Sequence, residues 1–321
     1  MPAEFNLIKQ YFTRPNAQTD LGIGDDAALI EVSAGHQLAI SSDMSVVGTH
    51  FFQDTAPYDI GWKSLAVNIS DMAAMCANPK WATLSIALPE INHDWLAAFS
   101  TGFFDCASQF NVDLIGGDTT RGSLNISVTI MGETLTGKAI TRNNAKAGDD
   151  IWVSGEVGHA ALGLAYLQDK VTLDNETRST CLLALNQPHP RISLGLALRD
   201  IAHSCIDISD GLLADLSHIL KASSPNKMGA TLQLEAMPCL NAIKARSQES
   251  KIQQAILAGG DDYELCFTTA SQQRETIAAL GKKLGINITR IGKTNTTGKL
   301  TVTLDNKILN TSQLGYEHFK I

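Results

Sequence analysis

The spacing of apolar residues divides the chain into alternating strands and helices. "HQLAISSD" (36–43) reads as a strand ending at Asp43. In "PYDIGWKSLAVNISDMAAMCA", Trp62, Leu65, Ala66, Ile69, Met72, Ala73 and Cys76 recur at i, i+3, i+4 and i+7, which predicts a helix with one apolar face. "WATLSIALP" predicts a strand and "DWLAAFSTGFFDCASQF" a helix. "VDLIGGD" predicts a short buried strand and "LNISVTIMGETL" a longer alternating one. This half reads as β-α-β-β-α-β, the split βαβ pattern. Ahead of it, Phe5, Ile8 and Phe12 predict a short amphipathic helix.

"NNAKAGDD" is a polar, glycine-containing break, which places a domain boundary at residue 147, between domains 1–147 and 148–321. "DIWVSGEVGHAALGLAYL" then reads as strand, glycine turn and helix. Helices are predicted at about 176–187 and 190–203. "SCIDISDGLLADLSHILK" reads as strand, acidic turn and helix, "ATLQLEAM" as a strand, and "GGDDYELCFT" as an acidic turn entering a strand. "SQQRETIAALGKKLG" predicts a helix, and "NITRIGKT" and "KLTVTLD" close the domain as strands. The fold class is α/β, with two units of similar size.

Length agrees with that division, since 321 residues suggest two domains. Hydrophobic residues are 44% and charged residues 18% of the chain, ordinary globular values that leave enough apolar surface for two cores. A net charge of -8 argues against nucleic acid as a partner. The six cysteines form no C-x-x-C pair and no zinc spacing, so they are expected reduced and mostly buried, as in a cytoplasmic protein. The start lacks a basic segment followed by an apolar run, and no apolar run is long enough to span a bilayer, so no membrane partner is expected.

The distinctive chemistry lies in the aspartates. Asp25 and Asp26 follow Gly24, Asp43 ends a strand, Asp118 follows two glycines, Asp207 and Asp210 bracket "DISD", and Asp261 and Asp262 follow "GG". Any one of these reads equally as a turn residue or a helix cap. Asp71 does not, because it sits inside the apolar helical stretch "LAVNISDMAAM", one turn beyond Asn68. Two carboxylates 4 Å apart repel by roughly 1 kcal/mol in water and about 4 kcal/mol at an effective dielectric of 20. A converging set must therefore be protonated or bind cations. Oxygen ligands without His or Cys select Mg²⁺ or Ca²⁺, and Mg²⁺ commonly joins a few carboxylates to substrate phosphates.

Two nucleotide motifs are only formal matches. Gly22-x-Gly24-x-x-Ala27 fits the dinucleotide fingerprint, but Asp25 and Asp26 would face the pyrophosphate and no strong strand precedes it. "GETLTGKA" (132–139) approximates a P-loop, but Ala139 stands where Ser or Thr must meet Mg²⁺ and no helix is predicted to follow. "SGEVGHAALG" is a tight turn or a second anion site at a helix N-terminus.

Seven blocks, "GIGDDAAL", "SSDMSVVGTHF", "KSLAVNISDMAAMCANP", "LIGGDTTR", "AITRNNAKAGD", "IDISDGLLADL" and "GGDDYELCF", together with the terminal "GYEHF", resemble the thiamine-monophosphate kinase family in content and order. Several are shared with aminoimidazole-ribonucleotide synthetases, selenophosphate synthetases and hydrogenase-maturation proteins. The resemblance implies a two-domain aminoimidazole-ribonucleotide synthetase-like fold, in which the N-terminal split βαβ domains pair in a homodimer barrel beside a C-terminal α/β domain. It implies direct, Mg²⁺-dependent transfer of the ATP γ-phosphoryl group to thiamine monophosphate, with no covalent nucleophile or general base.

Carried over by position, the resemblance assigns Asp26, Ser41, Ser42, Asp43, Asp71, Asp118, Asp207 and Asp210 to several Mg²⁺ ions. Gly117, Asp118, Arg142 and Ser209 fall to ATP, and His50, Asp261 and Tyr316 to thiamine monophosphate. The usual family motif is G-G-E-D; here Asp261 replaces the glutamate, with a reach one methylene shorter. Read alone, His50 is equally a packed histidine and Tyr316 a packing aromatic near the C-terminus. The alternatives are a related ATP-dependent synthetase, or a non-catalytic protein binding divalent metal or nucleotide. The selenophosphate branch is disfavoured because residues 1–20 contain no cysteine.

Overall fold

The computed structural model describes residues 3–15, 17–224, 227–310 and 314–316. The chain divides into two compact units, one of residues 1–72 and 77–137, the other of 73–76 and 138–321. The segment 138–147 thus groups with the second unit.

The first unit begins with α1 (Ala3–Leu7), which continues as a wider π turn, Ile8–Phe12. Leu7, Tyr11 and Phe12 are buried there while Phe5 is 53% exposed. The apolar face expected at Phe5, Ile8 and Phe12 is therefore rotated, because the π turn winds more residues per turn than the α period assumes.

There follow β1 (His36–Val46), α2 (Pro57–Ala74), β2 (Asn78–Leu88), α3 (His93–Phe110), β3 (Asp113–Arg121) and β4 (Asn125–Leu135). The element order is β-α-β-α-β-β, not β-α-β-β-α-β, because α3 lies between β2 and β3. The split is nonetheless present in the sheet. Its strand order is β1-β4-β2-β3, with β4 antiparallel to both β1 and β2 and so inserted between the two strands that α2 connects. Helices α2 and α3 approach through glycine, since a Cβ on Gly61 would lie 2.1 Å from Phe99 O and one on Gly102 would lie 1.9 Å from Tyr58 O. The predicted apolar residues of α2 are all buried, and Asn68 is buried with them.

In the second unit, β5 (Asp150–Ser154) leads into α4 (His159–Leu167), α5 (Asn175–Asn186), α6 (Ile192–Ala197) and β6 (Ala202–Asp207). The helix expected over 190–203 is short because Asp200 turns into the left-handed backbone region (φ 62°) and β6 begins at Ala202. Next come α7 (Leu212–Ser223), β7 (Gly229–Gln233), α8 (Asn241–Lys244), α9 (Ser250–Ala258) and β8 (Leu265–Thr269). The unit closes with α10 (Arg274–Leu284), β9 (Ile288–Asn295), β10 (Leu300–Leu304) and β11 (Lys307–Leu309). The strands form one sheet, β11-β10-β7-β9-β5-β8-β6. Both faces are covered. Ile151 and Val153 join Leu162, Leu212, Leu216 and Ile256 in one cluster, while Trp152 joins Leu194, Phe267 and Ile277 in another.

His159, the first residue of α4, is 4% exposed, and its Nε2 accepts the Leu240 N–H at 3.2 Å. That bond requires an unprotonated Nε2, and burial lowers the pKa from 6.5 to about 4. Between these values the unfolded chain binds the proton that the folded chain refuses, so stability falls as pH drops through this window. Denaturant titrations at pH 7 and pH 4.5 should show His159→Gln losing about 2–3 kcal/mol less than the parent chain. Equal losses would contradict this assignment.

Candidate functional site

In the first unit, β1 and α2 form a carboxylate pair. Ser41 Oγ donates to Asp71 Oδ2 at 2.5 Å, and the Asp43 N–H donates to Asn68 Oδ1 at 3.1 Å. Asn68 Nδ2 in turn donates to Ser64 O at 3.0 Å, which fixes the amide orientation. Strand alternation puts residues 41 and 43 on one face, and one helical turn separates 68 from 71, so the two elements meet at matched pairs. Loss of hydration, and then the Asp71 charge, push the Asp43 carboxyl up to about 6. Ser42 lies on the opposite face, with its Oγ donating to Val128 O at 3.2 Å and 3.0 Å from Thr129 Oγ1.

The register runs Asp43–Val128–Leu84–Gly117 across the sheet, with Asp118 beside Ser85 in the neighbouring row. Asp43 and Asp118 are thus on opposite edge strands, about 14 Å apart at three strand spacings. Gly117 has φ 149°, and a Cβ there would lie 1.8 Å from Leu84 O, so no other residue fits that row. His50 sits in the turn after β1, where its Nδ1 accepts the Val46 N–H at 3.0 Å. Asp26 is exposed in a loop closed by the Leu21–Leu29 bridge, with its N–H bonded to Asp25 Oδ1 at 2.9 Å. No helix follows that loop, and Gly132 to Leu135 of the P-loop-like motif lie within β4. Neither formal nucleotide motif has the structural context it needs.

In the second unit, Asp207 ends β6 opposite Leu265 and is buried. The turn after it meets two other segments through the backbone: Asp261 N–H donates to Ser209 O and Tyr316 N–H to Asp210 O, both at 2.9 Å. Asp207, Ser209, Asp210, Asp261 and Tyr316 therefore belong to one assembly. Asp261 and Tyr263 adopt φ of 70° and 51°, and Tyr263 OH donates to Asp261 Oδ1 at 3.2 Å. Two left-handed non-glycine residues so close together mark a constrained loop. Arg142 is exposed on a 3-10 turn anchored to α7, since Ser223 Oγ donates to Arg142 O at 3.1 Å and accepts the Ala145 N–H at 3.0 Å. Of the "GYEHF" motif, residues 317–319 lie outside the described residues.

Three features escape the sequence reading. Asp215 Oδ2 accepts three backbone N–H groups, and burial pushes its carboxyl up to about 7. The signal was available: like Asp71, Asp215 interrupts an apolar helical run, "LLADL". Asp262 Oδ2 accepts the Gly158 N–H at 2.8 Å, just ahead of α4, so the acceptor at that helix start is the chain's own carboxyl group, whose pKa burial raises well above the ordinary value. Glu264 takes a forked contact from Arg191 (2.5 and 2.7 Å) and a 2.5 Å bond from Ser154 Oγ. Gly155 leaves the space for it, since a Cβ there would lie 1.9 Å from Glu264 Oε1.

Among the described residues, no three His, Cys, Asp or Glu side chains are gathered for one metal ion. The donors present still fit a hard cation. They are oxygen atoms, and the Asp71 charge that adds to burial in raising Asp43 would join it in attracting a divalent ion. Among the described residues no helix is long and apolar enough to cross a membrane.

A split four-stranded unit followed by a seven-stranded α/β unit, both lined with aspartate turns, is an arrangement with known counterparts. Residues 24–134 match the family described as AIR synthase related protein, N-terminal domain, and residues 146–305 match its C-terminal domain. The chain is 41% identical over 321 residues to the thiamine-monophosphate kinase of Escherichia coli K12, covering 98% of each chain. It superposes on the crystal structure of thiamine-monophosphate kinase from Stenotrophomonas maltophilia K279a with a TM-score of 0.83 and 43% identity, covering 95% of this chain and 96% of that one. A further match is AaThiL complexed with AMPPCP and TMP, with a TM-score of 0.77 and 26% identity over 98% of this chain and 96% of that one. Within the AIR synthase related proteins, the chain belongs to the thiamine-monophosphate kinase family.

Proposed function

We propose that this chain transfers the γ-phosphoryl group of ATP to thiamine monophosphate, yielding thiamine diphosphate and ADP. The observation that carries this is the similarity to thiamine-monophosphate kinases over nearly the whole chain, together with carboxylate turns that retain the family blocks. A phosphate oxygen of the acceptor attacks the γ-phosphorus as the bond to the bridging β–γ oxygen breaks, and ADP leaves. That oxygen is already anionic, so the reaction needs positioning and charge neutralisation more than a base.

Asp26, Ser41, Ser42, Asp43, Asp71, Asp118, Asp207 and Asp210 would hold Mg²⁺. When bound, the ions neutralise donor and acceptor phosphates. Arg142, Gly117, Asp118 and Ser209 would bind ATP, with the Arg142 guanidinium forking onto phosphate. His50, Asp261 and Tyr316 would hold thiamine monophosphate, and Asp261 suits its cationic ring. Residues 1–147 would carry dimerisation and most metal contacts, and 148–321 the remainder. The free cysteines agree with a cytoplasmic setting.

Two features of the first unit support a homodimer. Its sheet ends in unpaired strands of 11 and 9 residues, β1 and β3, and its open face exposes Ile40 and Met44 at 62% and 54%. A barrel closed by a second copy would cover both, and pairing β1 with the other copy's β3 would bring the Asp43 and Asp118 positions together. Sedimentation at micromolar concentration should give twice the chain mass, and a monomer contradicts the barrel.

The reaction itself is tested by offering thiamine and thiamine monophosphate side by side, with products identified by mass spectrometry. Only the phosphate ester should react, because free thiamine lacks the ionised oxygen and leaves the acceptor end unfilled; equal turnover refutes the acceptor reading. Tyr316→Ala should raise KM for thiamine monophosphate roughly tenfold, about 1.4 kcal/mol, and leave KM for ATP unchanged. An effect confined to ATP would move Tyr316 to the nucleotide side.

Metal dependence has its own expected outcome. Chelation should abolish turnover and added Mg²⁺ should restore it. Asp71→Asn should lower kcat on the order of a hundredfold with a melting temperature close to that of the parent chain. Normal kinetics in that variant would remove Asp71 from the site.

A further inference from the structure

The turn between β6 and α7 is organised around a single oxygen atom. The N–H groups of Ser209, Asp210 and Gly211 all donate to Asp215 Oδ2, at 3.0, 3.1 and 3.0 Å. Three consecutive peptides whose N–H groups converge inward present their carbonyls to other partners. Those carbonyls are used. Ser209 O accepts the Asp261 N–H, Asp210 O accepts the Tyr316 N–H, and Ile208 O accepts the Tyr263 N–H at 2.8 Å. Two glycines allow the close approach: a Cβ on Gly260 would lie 2.3 Å from Ser209 O, and one on Gly315 would lie 2.8 Å from Asp210 O. Asp215 itself is 3% exposed and lies behind the turn, out of reach of any substrate.

We propose that Asp215 is a positioning residue for both substrates, holding Ser209 on the nucleotide side directly and Asp261 and Tyr316 on the acceptor side through the carbonyls of the turn it fixes. This rests on the site reading given above. One carboxylate thus sets the separation between two ligand-facing segments far apart in sequence. A displacement of the turn by about 1 Å moves both, and misplacement on that scale is enough to lose two orders of magnitude in rate. A role in folding alone predicts something different: fewer folded molecules, each with normal Michaelis constants.

The test compares Asp215→Ala, Asp215→Glu and Asp215→Asn in the full chain, with the folded fraction measured by circular dichroism. Asp215→Asn keeps a short oxygen acceptor, weakened by loss of charge, whereas Asp215→Glu keeps the charge but shifts it by a methylene. Asp215→Ala and Asp215→Glu should each raise KM for both ATP and thiamine monophosphate about tenfold, and Asp215→Asn should recover both to within about threefold. If Asp215→Ala yields no soluble protein, the contrast between Glu and Asn decides. Unchanged Michaelis constants in folded Asp215→Glu overturn the proposal, as does a change in only one of the two. Ser209→Ala and Tyr316→Ala are measured alongside. If they shift KM for ATP and thiamine monophosphate respectively while the Asp215 variants do not, the positioning role fails and the site stands. If neither shifts, the site reading falls and the inference falls with it.

Discussion

Repulsion between carboxylates is the constraint around which this protein is built. The site proposed above would hold a polyphosphate and cations among many aspartates, and a chain that carries them on neighbouring turns must restrain each one separately. The structure does so with neutral donors. Asp71 receives the Ser41 hydroxyl, Asp215 receives three peptide N–H groups, and Asp262 receives a helix N-terminus. None of these donors carries a full positive charge, so each carboxyl group is oriented without an ion pair, and burial raises the pKa of Asp215 to about 7 and that of Asp262 well above the ordinary carboxyl value. Where a full ion pair does occur, as between Arg191 and Glu264, it braces the base of a loop.

The two units meet this constraint with different architecture. In the first, the donors come from strand β1 and the acceptors from α2 laid across the sheet, and glycine at positions 61 and 102 lets that helix pack closely against its neighbour. In the second, the donors are peptide groups of the turns after β6 and ahead of α4, and the sheet beneath them is buried on both faces. The first arrangement varies through side-chain rotamers. The second varies only through backbone movement, which packing resists.

The elements were legible because their apolar period is unambiguous. The α2 face from Trp62 to Cys76 and the strand from Leu124 onward are long enough to outweigh local exceptions. Boundaries failed where one residue departed from its propensity, as at Asp200, or where a turn widened, as at Ile8–Phe12. The candidate site was legible as a set of aspartates beside glycines, and the resemblance supplied their roles. What holds them was hidden. Asn68 reads as one more polar residue in a helix, and Asp215, although it interrupts an apolar run, gives no sign in the sequence of the peptides it binds. Their importance arises from a hydrogen bond to a segment distant in sequence or from several peptides converging on one atom, and neither leaves a periodic trace.

The left-handed backbone at Asp261 and Tyr263 has a consequence for how this chain evolves and for how it can be engineered. Each position stores conformational strain of order 1 kcal/mol or more that glycine would relieve. Any search for a more heat-resistant variant will rank these two sites among its best opportunities, and a library selected only for solubility will drift toward glycine there. The same substitutions loosen the loop and, at position 261, remove the acidic side chain proposed above for the acceptor end. On that proposal, selection for durability and selection for turnover pull the same two codons in opposite directions.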